Sequence, residues 1–171
     1  MIDFETKKVL FIDLDSTLIK TISGKTFSED ITDFRIQLPV LDKIVEKLPN
    51  LKNFFIVTNQ GGLKSFSAEW DFEAKLYAIE YFCGNYLDNR LSNFSCPDSM
   101  YCSSMDKTNP YRKPNTAMLE SLSEDWSVES KEECMMIGDA SGKPGDFSDS
   151  DKKCAENFGI DYIDVRDFLK L

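Results

Sequence analysis

An apolar run that ends in two carboxylates is the feature of this sequence that most constrains its fold. Residues 9–12 read Val-Leu-Phe-Ile, and Asp13 and Asp15 follow with one leucine between them. An unbroken apolar run is typical of a parallel strand that is buried on both faces. Alternate side chains of an extended segment share a face about 7 Å apart. The pair can therefore converge on one divalent cation and one phosphorus atom, an arrangement that suits metal-assisted phosphoryl transfer.

The alternation of strand and helix patterns predicts an α/β fold. We expect a doubly wound (Rossmann-like), mostly parallel sheet with helices on both faces and no large cap domain. Strands are predicted over residues 8–13, 53–58, 99–103, 134–138 and 161–163. Helices are predicted over residues 40–48, about 68–82, 114–122, 151–158 and 165–169. We expect residues 1–171 to form one domain.

Ligands of such sheets bind outside the carboxyl ends of the strands. Asp13, Thr58 and Asp139 each come at the end of an apolar strand pattern, and Lys113 precedes a predicted helix on the same side. These groups are expected to meet at one edge of the sheet. Each alone has a plainer interpretation, such as a helix cap, a polar loop or a solvated turn. Their order along the chain favours the functional interpretation.

Composition excludes several kinds of site. The chain has no histidine, so serine triads, phosphohistidine chemistry and imidazole bases are excluded. Proton transfer must come from carboxylates, lysines or tyrosines. The five cysteines form no Cys-x-x-Cys pair, which disfavours both a disulfide framework and a zinc site.

Charge and hydropathy limit the partners. No apolar run approaches the length of a membrane span, and the acidic start does not resemble a signal peptide, so we expect an intracellular chain with no membrane partner. A net charge of −10 argues against broad non-specific binding of nucleic acid. A polyanionic substrate would need a local basic patch.

Four segments resemble the motifs of the haloacid dehalogenase (HAD) superfamily of aspartate-nucleophile phosphatases. They are Asp-Leu-Asp-Ser-Thr at 13–17, Phe-Ile-Val-Thr-Asn-Gln-Gly at 55–61, Arg-Lys-Pro at 112–114 and Met-Ile-Gly-Asp at 136–139. The resemblance implies that Asp13 attacks phosphorus and that Asp15 acts as general acid and base. It implies that Thr58 and Lys113 stabilise the phosphoryl group. The implied Mg²⁺ ligands are Asp13, the backbone carbonyl of Asp15 and Asp139, with Asp151 in support.

A finer match covers nearly the whole chain and is similar to the 3′-phosphatase domain of polynucleotide kinase/phosphatases. Its segments lie at residues 23–27, 33–35, 58–60, 111–114, 138–144 and 146–148. Phe34 stands where that family usually has tryptophan, and the stretch between Asp139 and Asp146 is shorter. A nucleic-acid 3′ end is the implied substrate. The implied substrate-binding residues are Asn59, Lys25, Arg35 and Arg112.

The sequence therefore favours a Mg²⁺-dependent phosphatase that removes 3′-phosphates from DNA ends. The predicted core elements leave no room for a large lid, so the site is expected to be open to a nucleic-acid end. One alternative keeps the chemistry and takes a small phosphomonoester, as in histidinol-phosphate or heptose-bisphosphate phosphatases. Another is a non-catalytic adaptor with the same fold. The sequence leaves open the choice between DNA and RNA, the strandedness of the substrate and the oligomeric state.

Overall fold

The computed structural model describes residues 2–25, 28, 30–63, 65–95 and 97–171, apart from the side chains of residues 66 and 67. Thr26 and Phe27, which belong to the segment at 23–27, lie outside the described residues, as does Cys96. The strands are β1 (Val9–Ile12), β2 (Ile19–Lys20), β3 (Arg35–Ile36), β4 (Asn53–Asn59), β5 (Pro97–Cys102), β6 (Cys134–Gly138) and β7 (Asp161–Asp164). The helices are α1 (Leu38–Lys47), α2 (Phe66–Asp88), α3 (Ala117–Asp125), α4 (Ser150–Phe158) and α5 (Val165–Phe168). In this described part of the chain, no helix is both long and apolar enough to cross a membrane.

Five strands form one parallel sheet in the order β5-β4-β1-β6-β7. β1 lies at the centre, where Ile12 is in register with Ile56 of β4 and with Ile137 of β6. The chain builds outward from β1 through β4 to β5, and then crosses to the other side for β6 and β7. This reversal makes the carboxyl ends of β1 and β6 the topological switch point, where open α/β sheets bind ligands.

The two faces of the sheet bury separate apolar layers, because side chains alternate along each strand. Leu10 and Ile12 of β1 pack on the face covered by α1, α2 and α5. On the face covered by α3 and α4, the ring of Phe11 lies 5.4 Å from that of Phe55 and 6.0 Å from that of Phe158. Helices cover both faces, so the predicted doubly wound α/β fold is confirmed. Burial on both faces fixes the position of β1, and β1 carries Asp13 at its carboxyl end.

The long helix α2 extends beyond its predicted limits. It has 23 residues, whereas the sequence pattern indicated a helix over about 68–82. Tyr77 and Tyr81 are mostly exposed on this helix, although aromatic residues in a pattern normally indicate the buried side. Both rings lie inside the predicted range. The pattern ended at residue 82 because Gly84 and Asn85, which have low helix propensity, follow it.

The region around α3 also differs from the prediction. The helix expected over 114–122 begins only at Ala117, because the N–H of Asn115 closes a turn on the carbonyl of Arg112. The antiparallel pair β2–β3 was not predicted, since two strands of two residues each leave no readable pattern. This pair lies between β1 and α1. Over the described parts of the chain no cap domain covers the carboxyl edge of the sheet, as predicted.

Strand β6 ends in a close approach to α4 that requires glycine. A Cβ atom on Gly138 would lie 2.7 Å from the Cβ of Asp151. The N–H of Ala140 donates to Oδ2 of Asp151 (3.1 Å), and the N–H of Asp151 donates to the carbonyl of Ala140 (3.2 Å). The absence of a side chain at Gly138 thus lets Asp151 reach the switch point.

Replacing Gly138 by alanine is expected to lower the free energy of unfolding by about 1–3 kcal/mol, because the new methyl group overlaps the side chain of Asp151. Urea denaturation measures the change. Gly62→Ala is the matched control, since a Cβ there meets nothing within 4 Å and φ is not in the left-handed region. Its effect should stay within about 0.5 kcal/mol. Equal unfolding midpoints for the two variants would contradict the close approach.

Candidate active site

The carboxyl ends of the central strands bring the predicted acidic residues together. Asp13 follows β1 directly, and its N–H donates to the carbonyl of Ile137 in β6 (2.9 Å). Asp139 follows β6 directly, and Asp151 lies in the first turn of α4. Carboxylate oxygens of Asp13, Asp139 and Asp151, one from each, lie within 4.8 Å of one another. We refer to these three residues as the acidic cluster.

Lys113 is buried beside the acidic cluster and is 2% exposed. Its Nζ donates to Oδ1 of Asp13 (2.6 Å), to Oδ1 of Asp151 (2.8 Å) and to the carbonyl of Val57 in β4 (2.7 Å). A lysine ammonium has three donors and no acceptor. All three donors therefore act within the protein, and they tie the nucleophile candidate to two other elements of the fold.

The charges of the site are unbalanced without a cation. One ammonium faces three carboxylates, and all four groups are removed from bulk water to different degrees. Carboxylate oxygens are the ligands that hard divalent cations such as Mg²⁺ prefer. The residues present thus fit the cation that the sequence predicted, with Asp13 and Asp139 as ligands. Both oxygens of Asp151 already accept hydrogen bonds, one from Lys113 and one from the N–H of Ala140.

The pKa values of the site follow from the same imbalance. Burial raises the pKa of Asp13 well above its usual range, although Lys113 opposes this, and Asp151 and Asp139 raise it further. Burial, followed by the charge of Asp151, raises the pKa of Asp139 to about 6. Burial disfavours the charge of Lys113, but Asp13 and Asp151 outweigh it, so the pKa of Lys113 is above its usual range. A bound cation would favour the ionised carboxylates.

The side-chain amide of Asn59, at the end of β4, makes two hydrogen bonds to the backbone of Lys113. Its Oδ1 accepts from the N–H of Lys113, and its Nδ2 donates to the carbonyl of Lys113, each at 2.9 Å. The resemblance implied a substrate-binding role for Asn59. In the structure its amide braces the loop that carries Lys113, so it fixes where the ammonium can reach.

Asp15 and Thr58 are linked by a residue that the sequence prediction did not include. Nε2 of Gln60 donates to Oδ2 of Asp15 (2.6 Å) and to Oγ1 of Thr58 (3.0 Å). Thr58 is buried, whereas Asp15 and Gln60 are half-buried. We refer to the solvent-exposed opening of the site around these two residues as the mouth. Gln60 belongs to the Thr-Asn-Gln motif, but a sequence does not show the direction of its side chain. Asp15 contributes no side-chain oxygen to the acidic cluster, and its predicted metal contact is through its carbonyl.

The predicted basic substrate residues are more exposed than Lys113. The side chains of Lys25 and Arg35 are exposed, and Arg35 lies in β3. Arg112 is half-buried, and its guanidinium donates to the carbonyl of Ser104 (2.7 Å). Their role in substrate binding stays a prediction.

The loop between Asp139 and α4 is held by a polar network that the sequence did not reveal. Oδ2 of Asp146 accepts from the N–H groups of Ser141 (3.1 Å) and Lys143 (2.9 Å). Arg166 of α5 forms an ion pair with Oδ1 of Asp146 (2.8 Å) and lowers the pKa of Asp146 to about 2. The guanidinium also lies 3.4 Å from the carbonyl of Asp139. This network fixes the backbone from which Asp139 projects.

The chain resembles known proteins in both sequence and fold. The family model described as "Polynucleotide kinase 3 phosphatase" matches residues 8–168. A bifunctional polynucleotide phosphatase/kinase of Schizosaccharomyces pombe is 33% identical over 169 residues. That match covers 96% of this chain but 38% of the relative, so the chain spans less than half of that protein.

Two solved structures share the fold. One is a HAD-like phosphatase from Mesorhizobium loti, with a TM-score of 0.56, 15% identity and coverage of 91% of this chain and 70% of the other. The second is the D,D-heptose 1,7-bisphosphate phosphatase from B. bronchiseptica, solved with magnesium and phosphate, with a TM-score of 0.61, 18% identity and coverage of 91% and 78%. The parallel sheet, the motifs at its carboxyl edge and a family match over residues 8–168 agree. The chain thus belongs to the polynucleotide kinase 3 phosphatase family, and it shares the fold of the two HAD-type phosphatases.

Proposed function

We propose that this chain is a Mg²⁺-dependent polynucleotide 3′-phosphatase that hydrolyses 3′-phosphate ends of DNA through an aspartyl-phosphate. The observation that carries the proposal is the buried Lys113, which binds Asp13 and Asp151 at the switch point beside Asp139. The charge of Lys113 allows a nucleophilic carboxylate and a phosphate dianion to approach each other. The substrate implies an intracellular location, in the cytoplasm or, in a eukaryotic cell, in the nucleus.

Two displacements make up the proposed reaction. In the first, a carboxylate oxygen of Asp13 bonds to phosphorus, the bond between phosphorus and the 3′ oxygen breaks, and Asp15 gives that oxygen a proton. In the second, water attacks phosphorus and gives a proton to Asp15, and the bond between phosphorus and Asp13 breaks. Inorganic phosphate leaves and both carboxyl groups return to their starting states. The acidic cluster would hold Mg²⁺, which offsets negative charge on the phosphoryl oxygens.

The open edge of the sheet supports a large substrate. No cap domain covers the mouth in the described residues, so a strand end has access to Asp13. The family match and the S. pombe relative favour a polynucleotide. Lys25 and Arg35 are exposed cations on the segment that follows Asp15, and we assign them contacts with the phosphodiester backbone. The complete catalytic set argues against a non-catalytic adaptor.

A direct assay compares substrates on the purified chain. Phosphate release should be fastest from a 3′-phosphorylated oligonucleotide in the presence of Mg²⁺. A 5′-phosphorylated oligonucleotide of the same sequence is the control, and histidinol phosphate and heptose bisphosphate represent the small-molecule alternative. Faster release from either small ester would favour the small-molecule alternative. No release from any ester would support the adaptor.

Replacing Asp13 by asparagine is expected to lower kcat by at least about 10⁴-fold, because the amide cannot form the aspartyl-phosphate. Folding should be nearly unchanged, and a thermal melt tests this. Asp42→Asn, which changes an exposed carboxylate on α1, is the control and should retain full activity. An active Asp13→Asn protein would refute the covalent route.

The stabilising effect of Mg²⁺ is expected to grow as the pH rises through about 6. The pKa of Asp139 is raised to about 6, so the folded metal-free protein binds more protons than the unfolded chain. Its free energy of unfolding therefore falls as the pH rises from about 4 to about 6. Mg²⁺ binds the ionised carboxylates and restores this loss.

Thermal melts with and without Mg²⁺ at pH 5 and pH 7.5 measure this dependence. Asp139→Asn is the control, because it removes both the titration and a ligand. That variant should show a small Mg²⁺ shift at either pH. A wild-type shift that is as large at pH 5 as at pH 7.5 would show that Asp139 is not a ligand.

A further inference from the structure

Gln60 contacts residues from three neighbouring strands at the carboxyl edge of the sheet. Its backbone N–H donates to the carbonyl of Cys102 (2.8 Å), which ties the residue to the end of β5. Its Nε2 lies 2.6 Å from Oδ2 of Asp15 and 3.0 Å from Oγ1 of Thr58. Asp15 follows β1 and Thr58 lies in β4, so a single amide fixes two functional groups that come from different strands.

The chemistry of the partners sets the orientation of this amide. An ionised carboxylate only accepts hydrogen bonds, so the NH₂ group must face Asp15. The opposite orientation would place Oε1 of Gln60 against the carboxylate, with two acceptors in contact. With the NH₂ group at Asp15, its second hydrogen is directed to the hydroxyl oxygen of Thr58. Donation to both partners therefore requires an amide, because an ionised glutamate would face Asp15 with a second carboxylate and could only accept from Thr58.

The contact with Thr58 assigns the direction of the hydroxyl proton. A hydroxyl group has one donor and two acceptor lone pairs. Gln60 occupies a lone pair of Oγ1, so the hydroxyl acts there as acceptor and keeps its proton for another group. Thr58 is only 1% exposed, so bulk water competes little for that proton. A phosphoryl oxygen bound beside Asp13 is the acceptor that the reaction supplies.

The contact with Asp15 distinguishes the two oxygens of its carboxyl group. Oδ2 accepts from Gln60, which leaves Oδ1 to carry the proton. We propose that Gln60 is the positioning residue of this active site, directing Oδ1 of Asp15 to the leaving oxygen and the hydroxyl of Thr58 to the phosphoryl group. This inference rests on the proposed function. In the first displacement the proton leaves Oδ1 for the 3′ oxygen as its bond to phosphorus breaks, and in the second Oδ1 takes a proton from water.

The test uses two esters that need different amounts of acid catalysis. The 3′ oxygen of an oligonucleotide is a poor leaving group and needs a proton, whereas 2,4-dinitrophenolate leaves without one. Gln60→Met removes both hydrogen bonds and keeps an unbranched side chain. Its kcat/KM for the 3′-phosphorylated oligonucleotide should fall by about 10²-fold, in the range of general acid catalysis. For 2,4-dinitrophenyl phosphate the loss should stay below about tenfold, from the contribution of Thr58 alone.

Gln37→Met is the matched control. Nε2 of Gln37 donates to the carbonyls of Thr17 (2.6 Å) and Ser16 (3.4 Å), so it supports the same loop without touching Asp15 or Thr58. Its loss should lower kcat/KM for the two esters by the same factor. Gln60→Leu, which also removes both hydrogen bonds without adding a charge, provides a second variant if Gln60→Met does not fold, and the unequal losses for the two esters are expected for it as well.

Two results would overturn the inference. Equal losses for the two esters in Gln60→Met would indicate a purely structural role, and unchanged kcat/KM would show that the contacts are dispensable. Failure of the proposed function looks different. In that case the wild-type protein itself would not hydrolyse the oligonucleotide, while the comparison could still be made between an alkyl phosphate that it accepts and the aryl ester.

Discussion

The structure depends on the burial of one lysine ammonium between two carboxylates. Lys113 is 2% exposed, and its three donors go to Asp13, Asp151 and the carbonyl of Val57. A buried ammonium without any carboxylate partner would be costly. The ion pairs therefore fix the position of Asp13 relative to α4 and β4, and in the proposed reaction they hold a positive charge beside the nucleophile.

The fold supplies this arrangement through a few close approaches. The switch point between β1 and β6 directs Asp13 and Asp139 to the same edge. Gly138 allows Asp151 to approach from α4, and Asn59 fixes the loop of Lys113. These contacts join strands, loops and helices that are far apart along the chain. The three carboxylates and one ammonium are compatible with a bound divalent cation.

The sequence predicted the strands, and the meeting of Asp13 and Asp139 at one edge of the sheet, because both depend on local patterns. Apolar runs identified the buried strands, and Asp13 and Asp139 follow those runs directly. The sequence could not predict Gln60 as a bridge or Arg166 as a brace for the loop after β6, since those contacts depend on loop conformations. It also gave no sign that Asn59 faces the backbone of Lys113. The start of α3 was misplaced because a turn, and not the helix, follows Lys113.

The central claim is that the acidic cluster and Lys113 form one cation-dependent nucleophilic centre. A crystal structure with Mn²⁺ and beryllium trifluoride, a mimic of a carboxyl-bound phosphoryl group, tests it most directly. We predict that beryllium bonds to a carboxylate oxygen of Asp13 and that the anomalous peak of Mn²⁺ lies within coordination distance of Asp13 and Asp139. Lys113 should still bind Asp13 and Asp151. A metal peak away from this edge of the sheet, or beryllium trifluoride on another side chain, would contradict the account.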